Sequence, residues 1–261
     1  VWDDHDVADN AWSGGAANHD DANEGSFTAR RAAAVQAYHE WLPTRLPDPA
    51  DPLKIYRSFD VGNLVSLHML DTRLIGRDQQ VTLDQYLSGL ADSPSRQLMG
   101  ATQSDWLTAR MAASGATWQV LGQQVLMARM HIPLSVASST TPQTLAEFTA
   151  ALATPEALRS DSQRALLAQR RVPYNLDAWD GYPAARETVL AAARTQGKNL
   201  ISLAGDTHNM WGANLTDASG QRVGVEFGTS SISSPGFETR LPLIADTVLA
   251  DAFLKMVADL R

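Results

Sequence analysis

Two periods alternate along this chain, and the points where one gives way to the other divide it into elements. Residues 10–26, NAWSGGAANHDDANEGS, hold neither period and are rich in Gly, Asn, Asp and Ala, which predicts an irregular loop. From 28 to 43 the spacing of Ala34, Val35, Tyr38, Trp41 and Leu42 is helical, and Pro43 stops it. A proline-punctuated turn, LPDPADP, follows, and then NLVSLHMLDTR (63–73), whose apolar run ends in polar residues as a buried strand opening into a loop would. Residues 103–114 predict a helix with Ser104 as N-cap, and 117–128, TWQVLGQQVLMA, a second strand. The stretch 135–172 alternates between turn-like and helical and predicts a surface insertion. After the loop VPYNLDAWDG comes a helix over 182–197, with Pro183 in its first turn and Gly197 at its end. Strands are predicted in KNLISLAGDTHNMW and RVGVEFGTS, and a closing helix in DTVLADAFLKMVADL (246–260).

Short apolar strands alternate with helices, so the fold class is α/β, in one domain over 1–261. Polar residues collect just beyond strand ends. In open sheets of this class ligands bind there, and Asp71–Arg73, Gln123–Gln124 and Asp206–His208 would converge.

Composition narrows the chemistry. The chain has 261 residues, 44% hydrophobic and 19% charged, and no apolar run long enough to cross a bilayer, so no stable membrane insertion is expected. A formal charge of −8 argues against a nucleic-acid partner. An anionic substrate would then need local positive charge. With no cysteine in the chain, any metal must be held by oxygen and imidazole. Two clusters offer that mix: Asp3, Asp4, His5 and Asp6 at the start, and Asp206, Thr207, His208 and Asn209 at a predicted strand end. In an extended loop, residues i and i+2 share a side, so Asp206 and His208 could face one metal while Asp4 and His5 face the same cavity. Such a centre polarises a phosphoryl oxygen, and a histidine off the metal can act as general acid. Taken singly, an Asp-x-His is more often a turn beside a solvated histidine; two such clusters at strand ends bring the two readings level.

WDDHDVADN, LDTR, LGQQV, DAWDGYPAARE and LAGDTHNMW, in that order between about Trp2 and Gly236, resemble the PhoD-type alkaline phosphatases, a branch of the calcineurin-like metallophosphoesterases. The resemblance implies a sandwich of β-sheets flanked by helices and a metal-dependent hydrolase of phosphate monoesters or diesters. It implies Fe3+ and Ca2+ as cofactors, a small phosphorylated substrate, and a periplasmic or extracellular location for the full-length protein. Asp4 stands where the superfamily places its metal-bridging asparagine, and His5 where it places the catalytic, phosphate-contacting histidine. In GDTH, Asp206 replaces one metal-binding histidine and His208 matches the other, a change toward harder cations. Arg73 and Asn209 are the candidate substrate-binding residues; the Arg73 fork equally suits a structural carboxylate. Gln123 or Gln124 could ligate a metal, though a polar strand end is the commoner reading, and Trp179, Asp180 and Tyr182 either line the approach or anchor a loop.

The superfamily's first two motifs would lie before DDHD, so the resemblance implies an incomplete fold with an N-terminal part preceding Val1. A sheet face left uncovered would then favour self-association. Two other readings stand beside the phosphatase: a non-catalytic fragment or degenerate homologue that only binds, and a phospholipase D-like phosphodiesterase.

Overall fold

The computed structural model describes residues 1–139 and 141–236. Its centre is a six-stranded mixed sheet made of β1 (Arg57–Val61), β2 (Val65–Met69), β3 (Trp118–Gly122), β6 (Asn199–Ala204), β7 (Trp211–Thr216) and β8 (Arg222–Gly228). The spatial order is β1-β2-β3-β6-β8-β7. The four middle strands run parallel and the two edge strands antiparallel to their neighbours. A separate ribbon pairs β4 (His131–Pro133) with β5 (Arg171–Pro173). The helices are α1 (Asp21–Glu24), α2 (Phe27–Trp41), α3 (Leu83–Leu87), α4 (Ala101–Ala113), α5 (Leu134–Ser138), α6 (Pro142–Ala153), α7 (Asp161–Leu167) and α8 (Pro183–Thr195).

One sheet face packs on α4 and α8 through Leu107, Met111, Leu121, Val189, Leu190 and Leu200, all buried. Each such side chain contributes about 1.5–3 kcal/mol on leaving water. The same covered face holds a string of polar groups that satisfy one another. His68 places Nδ1 2.7 Å from Ser58 Oγ and Nε2 3.0 Å from Gln119 Oε1, and burial lowers its pKa, keeping it neutral. The opposite face is apolar yet open. Phe59, Trp118, Leu203 and Phe227 are 50%, 40%, 44% and 54% exposed, and Leu203 and Phe227 are partners in the ladder. Among the described residues, this is the apolar face to which the expectation of self-association applies.

A second core joins the opening segment to α2: Trp2, Val7, Ala8 and Ala11 pack with Phe27, Val35, Ile55 and Leu74. The ribbon β4–β5 closes the base of the excursion that carries α5, α6 and α7, and Ile132, Val136, Leu145 and Phe148 give that excursion its own small core.

The α/β class holds. Instead of two large sheets, the described residues form one large sheet and a two-stranded ribbon. Helix α4 starts earlier than Ser104 predicts, at Ala101 after Gly100, whose φ of 74° lets the chain turn where it abuts Gly76. The strand expected over 117–128 ends at Gly122, because the N–H groups of Met127 and Ala128 leave the sheet for the buried Glu226 carboxylate, at 2.9 and 2.7 Å. Strands β1 and β7 went unpredicted, being short edges with half-exposed, mixed residues. The predicted closing helix lies outside the described residues.

Candidate metal and phosphate site

The parallel strands β2, β3, β6 and β8 deliver their carboxyl ends to one edge, and backbone hydrogen bonds extend the ladder past them: Leu70 N donates to Gly122 O, Gln123 N to Leu203 O and Thr229 N to Ala204 O. After β2 the chain turns sharply because Asp71 Oδ1 accepts the N–H groups of Arg73 (2.8 Å) and Leu74 (3.0 Å). Gln103 on α4 clasps the Asp71 backbone from the other side, accepting from its N–H and donating to its carbonyl, at 2.8 and 2.7 Å. Burial raises the Asp71 pKa, and the Trp2 indole beside it works in the opposite sense. This turn aims Arg73 along the strand ends.

Arg73 has no exposed surface and is surrounded by acids from three other segments. Its Nε donates to Asp3 Oδ1 at 2.8 Å, its Nη1 to both Asp177 oxygens at 2.9 and 2.7 Å, and its Nη2 to Asp206 Oδ1 at 2.9 Å. Asp4 Oδ1 lies 3.8 Å away. These carboxylates hold the guanidinium proton firmly, raising the pKa of Arg73 although burial opposes it. Of the two alternatives for Arg73, the structure displays the carboxylate tie. Arg77, also fully buried, bonds Asp177 Oδ1 at 2.6 Å. Four carboxylates thus face two guanidinium groups, an excess of two negative charges if all are ionised. The excess is felt at Asp206: burial, opposed by Arg73 and reinforced by Asp3, Asp177 and Asp4, raises its pKa to about 7. Burial likewise raises Asp3. Asp177 moves the other way, since Arg77 and Arg73 outweigh its burial.

Oxygens of Asp3, Asp4 and Asp206 lie within 4.8 Å of one another, and a second such group joins Asp4, His5 and Asp9. Crowded, partly buried, under-neutralised carboxylates with an adjacent imidazole are a hard donor set, so these residues fit a hard cation of the kind the sequence implied. Asp4 belongs to both groups and is held by the Asn10 N–H, which donates to its Oδ2 at 3.0 Å. His5 is 77% exposed at its side chain, with Nε2 3.8 Å from Asp4 Oδ2 and 4.0 Å from Asp9 Oδ1.

His208 stands apart from both groups. The expected extended loop does not form: Asp206 and His208 take φ of 69° and 60°, so the i, i+2 rule for a strand no longer applies. Asp206 turns inward to Arg73, whereas His208 Nδ1 lies 2.9 Å from the Pro235 carbonyl. Asn209 follows on the same corner, half-buried and engaged with neighbouring groups. Among the described residues, the non-glycine positions with positive φ are Asn10, which holds Asp4, Asp206, which is in the cluster, and His208 two residues on. The glutamines serve structure. Gln124 accepts from Thr72 N and Oγ1 and donates to the carbonyls of Trp2 and Leu70, and Gln123 bridges Trp179, Ser202 and Glu226. Trp179 and Tyr182 are fully buried loop anchors, and Asp180 accepts the Met130 N–H at 2.8 Å. Asp177 and Arg77 are the site residues that sequence reasoning missed. Asp177 opens the DAWDGYPAARE stretch, but its partner Arg77 lies a hundred residues away, so nothing local assigns it this role.

The fold and this edge define an α/β protein whose strand ends carry a candidate cation centre. The model of the PhoD-like phosphatase family matches residues 1–259, and the chain belongs to that family. It is 34% identical over 246 residues to alkaline phosphatase D of Bacillus subtilis (strain 168), a match covering 90% of this chain and 36% of that protein. A solved structure described as that of PhoD superposes with a TM-score of 0.65 at 31% identity, covering 90% of this chain and 40% of the other. The chain therefore spans somewhat over a third of the length of the relatives it matches.

Proposed function

We propose that this chain supplies the cation-binding and phosphate-facing wall of a metal-dependent phosphoesterase, acting on phosphate esters of small molecules. The observation that carries the reading is the cluster of Asp3, Asp4 and Asp206 around Arg73, at the strand ends of a chain that belongs to a phosphatase family. Asp4 and Asp206 would hold the cation, with Asp3 beside them; Fe3+ and Ca2+ are the cations we assign, on the hardness of the donors and the family resemblance. Held by those carboxylates, a cation would supply Lewis-acid polarisation of the phosphoryl oxygen and would lower the pKa of water beside it. His5, exposed beside Asp4, would hand a proton to the leaving oxygen. Arg73 fixes three of the carboxylates and, through them, the shape of the pocket floor. His208 and Asn209 border the site from the β6 corner, where they would meet substrate from the open side. The family resemblance supports a periplasmic or extracellular setting.

A second reading is favoured by one observation: the Arg73 guanidinium already engages Asp3 and Asp206, so the chain can hold its acids together as a non-catalytic module. One experiment separates the two. Purified chain supplied with Fe3+ and Ca2+ is assayed on a chromogenic phosphate monoester and on the matching diester. The phosphoesterase reading expects turnover that chelator removes and that Asp4→Ala and Asp206→Ala each abolish. Turnover surviving in both variants defeats the assignment, and its absence in the unmodified chain favours the module. The ratio of diester to monoester rates distinguishes a phospholipase D-like enzyme.

A further inference from the structure

Two arms carry the acids that would hold the cation, and one side-chain amide ties them together. On the first arm, Asn10 N donates to Asp4 Oδ2 at 3.0 Å, from a backbone whose φ of 48° is left-handed. On the second, Asp177 grips Arg73 through both oxygens, and Arg73 in turn bonds Asp3 and Asp206. Gln80, in the loop between β2 and α3, donates from Nε2 to Asn10 O at 2.8 Å and to Asp177 Oδ1 at 2.6 Å. These two bonds reach across 70 and 97 residues of sequence. Both neighbours are acceptors, so the amide nitrogen must face them and its two hydrogens are both engaged. A methionine of similar length would supply neither bond.

We propose that Gln80 is a positioning residue for the cation: acting through Asn10 and Asp177, it sets the separation of the Asp4 and Asp206 carboxylates. The proposal rests on the phosphoesterase reading and adds to it the residue that fixes the geometry of the site. Asp3 and Asp4 are neighbours in the chain, whereas Asp206 is brought to them by Arg73, so the spacing of the acids depends on how the two arms are joined. Like charges held within 4.8 Å of one another tend to part unless something fixes them. A left-handed backbone at a residue other than glycine is likewise held against its own preference by the structure around it. With the Gln80 bond removed, residue 10 relaxes, its N–H leaves Asp4, and Asp4 turns away from the other acids. The same loss takes one of the donors from Asp177, which anchors Arg73 on the second arm. A cavity of about 330 Å³ borders Gln80, Asn10 and Asp177, so a side chain exchanged at position 80 has room and need not disturb packed neighbours.

The test reads the ion and needs no turnover. Tb3+, a hard cation whose luminescence lifetimes in H2O and D2O count the waters bound to it, is titrated into the unmodified chain and into Gln80→Met. Asp4→Ala marks the part of the signal that belongs to this site. Gln80→Met is expected to weaken Tb3+ binding about tenfold and to admit about one more water to the ion as Asp4 leaves it. Gln80→Asn keeps the amide on a stem too short to reach both acceptors; it is expected to give a smaller loss in the same direction, and it serves where methionine impairs folding. A role in stability alone gives a different result: a lower urea midpoint, with Tb3+ affinity and hydration those of the unmodified chain. That result in both variants overturns the inference and leaves the phosphoesterase reading standing. An unmodified chain that binds no Tb3+ overturns that reading and the inference with it.

Discussion

Arg73 and Asp177 meet through both carboxylate oxygens, at 2.9 and 2.7 Å, with the arginine wholly buried and the acid nearly so. The pair lies 104 residues apart in sequence and ties the end of β2 to the loop before α8. Removing the acid leaves buried Arg77 without a carboxylate partner and takes the bidentate partner from Arg73, which keeps Asp3 and Asp206. Asp177→Ala is therefore expected to cost about 3–5 kcal/mol, read as a lowered urea midpoint with an unchanged slope. A loss under 1 kcal/mol would show the arginines to be solvated and the buried network absent.

Asp206 gives a pH signature. In the folded chain its pKa is raised from the ordinary 3.8 to about 7, so folding takes up a proton between those values. The stability associated with the protonated form is complete below about pH 4 and drains away as pH rises to about 7. Asp206→Asn removes the ionisation, and asparagine tolerates the left-handed backbone there. In chelator at pH 8 the variant is expected to be more stable than the unmodified chain by about 2 kcal/mol, with the difference fading by pH 4. Thermal denaturation across pH reads it; a constant offset between the two chains would count against the carboxylate as its source.

Gly181 sits where a side chain cannot. A Cβ there would meet the Leu176 carbonyl oxygen at 2.1 Å, and that carbonyl precedes Asp177. Gly181→Ala should push the loop off Arg73 and Arg77, lowering stability by about 1–3 kcal/mol. Amide exchange at residues 174–178 should quicken more than in β6, and uniform protection would argue for a loop that yields freely.

Gln124 is the knot between the opening segment and the sheet, bonded to Trp2, Leu70 and Thr72. Gln124→Leu leaves the Trp2 and Leu70 carbonyls and the Thr72 N–H without partners in the interior, an expected cost of about 2–4 kcal/mol in chemical denaturation. An unchanged midpoint would mean that the opening segment is not bound through this residue.

What the sequence made legible follows from where the physics is local. The parallel strands and α2 and α8 announce themselves by period, proline and glycine, and strand ends in polar residues point to the edge where Asp206 and Arg73 meet. The opening DDHD could be flagged because its acids are adjacent. Asp177 could not, since its role comes from two arginines a hundred residues away. The orientation of His208 was equally hidden: an Asp-x-His reads as extended until its backbone is seen to be left-handed, with the imidazole turned to Pro235. Glu226 is a third case. An acid inside an apolar strand gives no sign that it will draw the chain after β3 out of the sheet.

The bonds that assemble the Arg73 cluster join residues 70, 104 and 133 positions apart, and the Gln124 knot spans 122. Contacts of such range form after the loops between them have closed, whereas the helices need only their neighbours. During refolding, helical signal should return first and cation affinity last. The order of recovery, followed by stopped-flow circular dichroism and by a lanthanide luminescence probe, makes the carboxylate cluster a clock for the final step of folding.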